Sequence, residues 1–380
     1  MSQRVVVVGA GLGGLRAAES LRKQGINVTV IGDERHLPYN RPPLSKEALT
    51  GGVQMDTLEF RRKYDDIDWR LGHAVTRCSL VDRWVETHDG SIPFDGLVIA
   101  SGIRPRHLPV PGPAPEVLRT VDDAQRLRER LTPDTRLLIV GAGFIGCEVA
   151  ATARGLGSTV TVTAFDDEPM IRPLGAELGA AMRAHHEAHG VTFHLGVGVS
   201  EFHPDGVTLS DGTRLVADVV LEAVGSIANT EWLAGNDLDL SDGVLTDNLL
   251  RVVATEAPVV AVGDIARFAN PLFDDVPRRV EHWNMPTETG RRAGSTLGAI
   301  LRGEEPEGVF EPMPSFWSDQ YDYSLQSYGM PGLGEAVLVD GSWDGDCIVE
   351  YRRAGTLVGV IGINRTAEVT RYRKEIGSSD

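Results

Sequence analysis

Val5-Val-Val-Val8 runs straight into Gly9-Ala-Gly-Leu-Gly-Gly14, and a stretch rich in Ala and Leu follows. The arrangement recurs: Leu137-Leu-Ile-Val140 runs into Gly141-Ala-Gly-Phe-Ile-Gly146 and a second helical stretch. There Ile145, Val149, Thr152, Ala153 and Leu156 fall on one helical face. Each stretch leads to a short β-branched strand, Val28-Thr-Val-Ile31 and Val160-Thr-Val-Thr163. Each unit is therefore a strand–GxGxxG–helix–strand module of about thirty residues, the context that makes this motif specific.

The glycines have separate tasks. Gly9 and Gly141 permit the tight turn, Gly11 and Gly143 let the backbone approach a pyrophosphate, and Gly14 and Gly146 let helix and strand pack closely. The helix start then offers unpaired N–H groups and partial positive charge to phosphates. Two such modules point to two different dinucleotides. A flavin and a nicotinamide are the natural pair, because hydride passes between them.

Composition narrows the reading. A chain of 380 residues is expected to form two or three domains. Its net charge of −17 argues against nucleic-acid binding, which needs a basic field. No apolar run approaches the roughly 18 residues of a spanning helix. The first strand follows Met1 almost at once, with no room for a signal peptide, so a cytoplasmic protein is expected. Cys78, Cys147 and Cys347 are far apart in sequence. They form no CxxC or zinc spacing and read as packed, reduced thiols, and no metal site is expected.

Further strands are visible. Leu97–Ala100 ends in Ser101-Gly102, and Val219–Leu221 leads to Ala223-Val-Gly225; both read as crossings between domains. Val259–Val262 ends in Gly263-Asp264. Pro105–Pro115 and Pro306–Pro314 read as linkers. From Pro314 the chain is aromatic, then strand-rich from Glu335 to Asn364, which suggests a third, α+β domain. Thr370–Asp380 reads as a short polar tail.

Several segments occur in the order of a known family: the two glycine motifs, Pro38-Tyr-Asn-Arg-Pro-Pro-Leu-Ser-Lys46, Gly143-Phe-Ile-Gly-Cys-Glu148, Val262-Gly-Asp264, Glu281-His-Trp283 and Phe316-Trp-Ser-Asp-Gln320. Along essentially its whole length the chain resembles the FAD-dependent, NADH-dependent ferredoxin reductases of bacterial oxygenase systems, which are glutathione-reductase-like flavoproteins. The resemblance implies an α/β fold with two Rossmann-like dinucleotide-binding domains plus a C-terminal α+β interface domain. The implied boundaries are 1–109 and 228–308 for FAD, 110–227 for NAD and 309–380 for the interface domain.

Gly9, Gly11, Gly13 and Gly14 are expected to hold the FAD pyrophosphate. Asp33 and Glu34 are both candidates for the adenosine ribose, and the resemblance favours Asp33. Arg41, Lys46, Val75 and Arg119 match FAD-contacting positions of the family. Asp264 matches the acid at the ribityl or phosphate end; otherwise it caps a following helix. Trp283 matches a position at the flavin pyrimidine edge. Glu148 reads either as an acid at a helix start, worth about 0.3–1 kcal/mol, or, by resemblance, as the partner of Lys46 beside the flavin. A charge-assisted contact of that kind is worth roughly 1.5–3 kcal/mol. Trp317 reads as core, or by resemblance as a cover for the flavin. Glu222 stands inside an apolar strand without a visible reason.

Gly141, Gly143 and Gly146 are expected to hold the NAD pyrophosphate. The family's usual glutamate after the following strand is replaced by Ala164, which leaves Asp166 as the ribose candidate. Asp166, Asp167 and Glu168 are acidic, and no Arg or Lys appears before Arg172, so NADH is expected over NADPH. The expected activity is hydride transfer from NADH to FAD and single-electron transfer to an iron–sulfur ferredoxin. The alternatives are a rubredoxin reductase and a non-catalytic FAD- and NADH-binding redox sensor. Candidate docking residues are Arg291, Arg292, Arg61, Arg62 and Lys63, any of which could instead be a solvated face. A monomer or weak dimer, with no nucleic-acid or membrane partner, completes the expectation.

Overall fold

Four valines in succession are stable as a strand only where both faces are covered. The strand Arg4–Val8 lies at the centre of a five-stranded parallel sheet, in the order Val259–Ala261, Gly96–Ile99, Arg4–Val8, Asn27–Gly32, Asp68–Leu71. Val5 and Val7 pack with Ala17, Ala18 and Leu21 of the helix Leu12–Arg22. Val6 and Val8 pack on the other face with Leu97, Ile99 and Trp232. A computed structural model describes residues 3–51 and 54–377. Its chain forms two compact units, Met1–Asn40 with Glu59–Arg104 and Ile227–Ser315, and Arg41–Leu58 with Pro105–Ser226 and Phe316–Asp380.

In the first unit the helix Met285–Leu301 lies close against Leu12–Arg22. Gly290, Gly294 and Gly298 face it one turn apart; a Cβ on Gly290 would stand 2.6 Å from the Gly13 carbonyl oxygen. The proline-rich stretch 306–314 is irregular, as a linker should be, yet it is pinned. Asn248 bonds both backbone groups of Phe310, Asn270 donates to the Pro312 carbonyl, and Asn284 donates to the Met313 carbonyl.

The second unit repeats the parallel core in the order Val191–Leu195, Thr159–Ala164, Arg136–Val140, Val219–Glu222. One face is covered by the helix Phe144–Gly155. Its buried side is Gly146 to Ala151 with Ala153, and Ile145 is 41% exposed, contrary to the expected face. Gly146 must approach the sheet, and the residue before it, about 100° round the helix, is turned outward.

The C-terminal portion is a five-stranded sheet in the order Ser315–Gln320, Tyr323–Gly329, Thr356–Ile363, Cys347–Arg353, Glu335–Gly341. Strands therefore begin at Ser315, twenty residues before the sequence suggested. The inward side of the first strand is Phe316, Ser318 and Gln320, so its alternation is disguised by two buried polar residues. The expected polar tail is also corrected. Thr366–Val369 and Thr370–Lys374 are helical, Arg373 lies over the Tyr328 ring, and Val369 and Ile376 are buried. Ser378–Asp380 lies outside the described residues.

Candidate functional site

The first unit carries a backbone cradle. Gly9 has φ +118°, and a Cβ there would stand 2.0 Å from the Ala100 carbonyl oxygen. A Cβ on Gly14 would stand 2.0 Å from the Gly9 carbonyl oxygen, and Gly13 lies against Val262. Gly11, by contrast, faces open space and caps the helix start without any side-chain acceptor. The first N–H groups of that helix are thus directed to an empty approach, which is what a pyrophosphate requires.

Other candidates stand on the same unit. Asp33 is exposed at the end of Asn27–Gly32, and Glu34 accepts a 2.5 Å hydrogen bond from the Tyr39 hydroxyl. Val75 packs on the edge of the core. Asp264 lies in the short 3-10 turn Gly263–Ile265, so it does not cap a long helix. Two groups position that turn: the Gly263 N–H donates to Thr289 Oγ1 at 2.9 Å, and Arg279 Nη1 donates to the Asp264 carbonyl at 2.8 Å. Neither Thr289 nor Arg279 was singled out by the sequence. Trp283 is 40% exposed, and its indole N–H donates to Asn40 Oδ1 at 3.0 Å.

The second unit carries the same cradle. Gly141 has φ +111°, a Cβ on it would stand 2.3 Å from the Ala223 carbonyl oxygen, and one on Gly146 would stand 2.1 Å from the Gly141 carbonyl oxygen. Gly143 again faces open space at an uncapped helix start. The loop after Thr159–Ala164 returns to the cradle through the Met170 N–H, which donates to the Ala142 carbonyl at 2.8 Å. Phe165 is 81% exposed. The acidic run is less bare than expected, because folding brings Arg172 to 3.7 Å from Asp166 and Arg183 to 3.2 Å from Glu168.

Beside this cradle is a buried polar network. Glu148 lies in the second turn of its helix rather than at the start, with no acid in the first turn. Its Oε1 stands 2.9 Å from Lys46 Nζ and accepts from Ser318 Oγ at 2.6 Å; its Oε2 accepts from Ser45 Oγ at 2.5 Å. Thr152 Oγ1 anchors the Ser45 carbonyl at 2.8 Å. Gln320 Nε2 donates to Ser318 Oγ at 2.9 Å, and Gln320 Oε1 accepts from His186 Nε2 at 2.7 Å. His186 is fully buried, and burial lowers its pKa to about 4. A buried carboxylate held on both oxygens fixes the ammonium beside it.

Arg41 Nη1 donates to the Arg119 carbonyl at 2.7 Å. Trp317 is half-buried in the strand that carries Ser318. Glu222 is also explained: its fully buried side chain bonds His107 Nδ1 and accepts from the Leu108 N–H, both at 2.7 Å. It fastens the incoming linker to the last parallel strand.

All three cysteines are buried and unpaired. Burial pushes Cys78 up to about 11 and Cys147 up to about 12. Burial raises the Cys347 thiol as well, so all three sites disfavour the thiolate that dithiol chemistry requires.

Residues 3–290 match the pyridine nucleotide-disulphide oxidoreductase family, and residues 315–379 match the reductase C-terminal family. Rhodocoxin reductase of Rhodococcus erythropolis is 34% identical, covering 97% of this chain and 88% of the relative. The benzene 1,2-dioxygenase system ferredoxin–NAD+ reductase subunit of Pseudomonas putida is 37% identical, covering 89% and 83%. The solved covalent complex of putidaredoxin reductase with putidaredoxin superposes with a TM-score of 0.90 at 32% identity, covering 99% of this chain and 93% of that one. The chain belongs to the pyridine nucleotide-disulphide oxidoreductase family, in the group that carries a reductase C-terminal domain.

Proposed function

We propose that this chain is an oxidoreductase that takes hydride from NADH onto FAD and passes single electrons to an iron–sulfur ferredoxin serving an oxygenase. The observation that carries this is the doubled cradle, with open approaches at Gly11 and Gly143, in a chain whose cysteines are all sealed. When bound, FAD supplies the conversion of a two-electron donor into one-electron output. The names of the relatives, ferredoxin–NAD+ reductases of oxygenase systems, support the same electron acceptor.

The protein's residues divide the work. Gly9, Gly11, Gly13 and Gly14 hold the FAD pyrophosphate, Asp33 the ribose, and Asp264 the ribityl or phosphate end. Arg41, Val75, Arg119 and Trp283 would complete the FAD contacts, and Trp317 would lie over the ring. Gly141, Gly143 and Gly146 hold the NADH pyrophosphate, with Asp166 at the ribose. Lys46, fixed by Glu148, offers a preorganised cation to negative charge that develops during reduction. The working boundaries are 1–109 with 228–308, 110–227, and 309–380. Among the described residues no helix is long and apolar enough to cross a membrane, and we place the protein in the cytoplasm.

Ferredoxin docking needs positive charge on an acidic protein. Arg291, Arg61 and Lys63 are exposed. Arg62 stands 3.8 Å from Glu59, and Arg292 is committed to the Glu307 and Gly308 carbonyls. Arg291→Glu should therefore slow ferredoxin reduction and flatten its salt dependence, while ferricyanide reduction is unchanged.

The main test is anaerobic reduction of a [2Fe–2S] ferredoxin by the purified protein with NADH. A yellow, FAD-containing protein should reduce it one electron at a time, before and after iodoacetamide treatment. NADPH should be slower by about tenfold to a hundredfold, the value of one lost charged contact of roughly 1.5–3 kcal/mol. A colourless protein that cannot be reconstituted with FAD, or activity lost with thiol blocking, overturns the proposal.

A further inference from the structure

The helix Ala176–Ala188 ends with two histidines one turn apart, His185 and its C-cap residue His189. Opposite them is the tight turn between Ser315–Gln320 and Tyr323–Gly329, which presents Asp322. One ligand atom from each of His185, His189 and Asp322 lies within 4.8 Å of the others. None of the three belongs to the cradles or to the Lys46–Glu148 network.

The side chains are oriented as ligands. His185 Nε2 is buried and stands 3.1 Å from Asp322 Oδ1, close to the separation of two ligands on one ion. His189 Nδ1 lies 2.8 Å from the His185 carbonyl oxygen. A carbonyl can only accept, so this contact puts the proton on Nδ1 and leaves the lone pair on Nε2, as a ligating histidine requires.

The rings are also held. His185 stacks on Tyr323, with centroids 3.7 Å apart, and His189 stacks on Tyr321, with centroids 3.8 Å apart. Stacking occupies the ring faces and leaves the in-plane lone pairs open. Tyr321 has φ +56°, a left-handed conformation costly for a bulky residue. The turn that presents Asp322 is thus strained, and the stack on His189 holds it. A cation here would also meet the negative end of the helix dipole.

We propose that His185, His189 and Asp322 bind a divalent first-row transition cation of the zinc type. Two imidazoles and one carboxylate suit zinc better than magnesium or calcium, and the fourth position is left for water. Tetrahedral bonds of about 2.0–2.1 Å set ligand atoms roughly 3.3–3.4 Å apart, so the set closes by about 1.5 Å at most. His189 and Asp322 are exposed and give the ion its entry. Once bound, it ties the helix end to the hairpin, two elements already joined by the His186–Gln320 hydrogen bond.

The test is calorimetric titration of zinc chloride into the EDTA-treated, FAD-loaded full chain, with thermal melts alongside. The wild type should bind one ion at this site and melt higher with zinc. His189→Ala and Asp322→Asn should each weaken binding at least tenfold and lose the melting shift, with NADH–ferricyanide turnover in the absence of zinc unchanged. That turnover shows that the variants fold. Equal zinc affinity in wild type and both variants overturns the proposal. So does binding that is lost instead on His73→Ala, in the other histidine–aspartate cluster of His73, His88 and Asp89.

Discussion

The two cradles share a backbone, and a charged side chain that follows it differs in sign and in what it reaches. Gly9 corresponds to Gly141 and Gly14 to Gly146, with nearly the same φ and the same close approaches. Two residues past the third glycine stand Arg16 in one and Glu148 in the other. Arg16 closes on its own helix through Glu19 at 2.7 Å, and Glu19 also accepts from the Lys63 N–H. Glu148 instead gathers Lys46, Ser45 and Ser318, from segments far away in sequence. The shape that suits a pyrophosphate is a property of the turn, so both copies have it. In the proposed function the chemistry depends on what the helix carries half a turn later.

The largest effect should come from the turn itself. Gly9→Ala and Gly141→Ala each force a Cβ into a carbonyl at positive φ, a cost on the order of 2–5 kcal/mol. Gly9→Ala should yield protein without FAD, whereas Gly141→Ala should stay yellow and lose NADH-driven reduction. The flavin-to-protein absorbance ratio separates them; loss of FAD from both would end the division of labour between the cradles.

Next comes the differing side chain. Glu148→Ala leaves Lys46, whose side chain is 13% exposed, without its counter-charge and should cost about 2–3 kcal/mol in urea unfolding, below the roughly 3–5 kcal/mol of a fully buried pair, together with slower flavin reduction. Arg16→Ala should cost stability without changing the reduction rate. If both slow it alike, the contrast between the copies is false.

A smaller effect is expected in acid. His186 in the second unit and His282 in the first are both held near pKa 4 by burial. The unfolded chain takes up protons near pH 6.5 that the folded one refuses. Their contribution is therefore intact above about pH 6.5 and declines as pH falls toward 4, by on the order of 3 kcal/mol each. Urea midpoints between pH 7 and 4.5 should fall, and His186→Gln should flatten part of the fall. A flat profile would contradict neutral histidines in both units, His186 fully buried and His282 partly so.

What was legible in the sequence was local. Gly9–Gly14 and Gly141–Gly146 announce themselves because turn, helix start and flanking strands are contiguous. The clasp around Glu148 was only half visible: Lys46, Ser45 and Ser318 all lie in distinctive segments, but nothing in the sequence marked the two serines, 103 and 170 residues from Glu148, as its partners. Gln320 and Ser318 also hid their own strand, since buried polar residues break the apolar alternation that reveals one. Glu222 looked anomalous because its partner His107 lies across a chain crossing. Arg183 was missed as the neighbour of the acidic loop for the same reason: the fold, not the sequence, makes them adjacent.

In the proposed function Lys46, fixed by Glu148, is the charge that distinguishes a reacting site from a binding one. Stopped-flow bleaching of FAD by NADH in Lys46→Ala measures it directly. The variant should keep its FAD, and reduction should slow by about 10²–10³-fold, the usual loss for one preorganised donor. A reduction rate equal to wild type, with FAD bound, would contradict it.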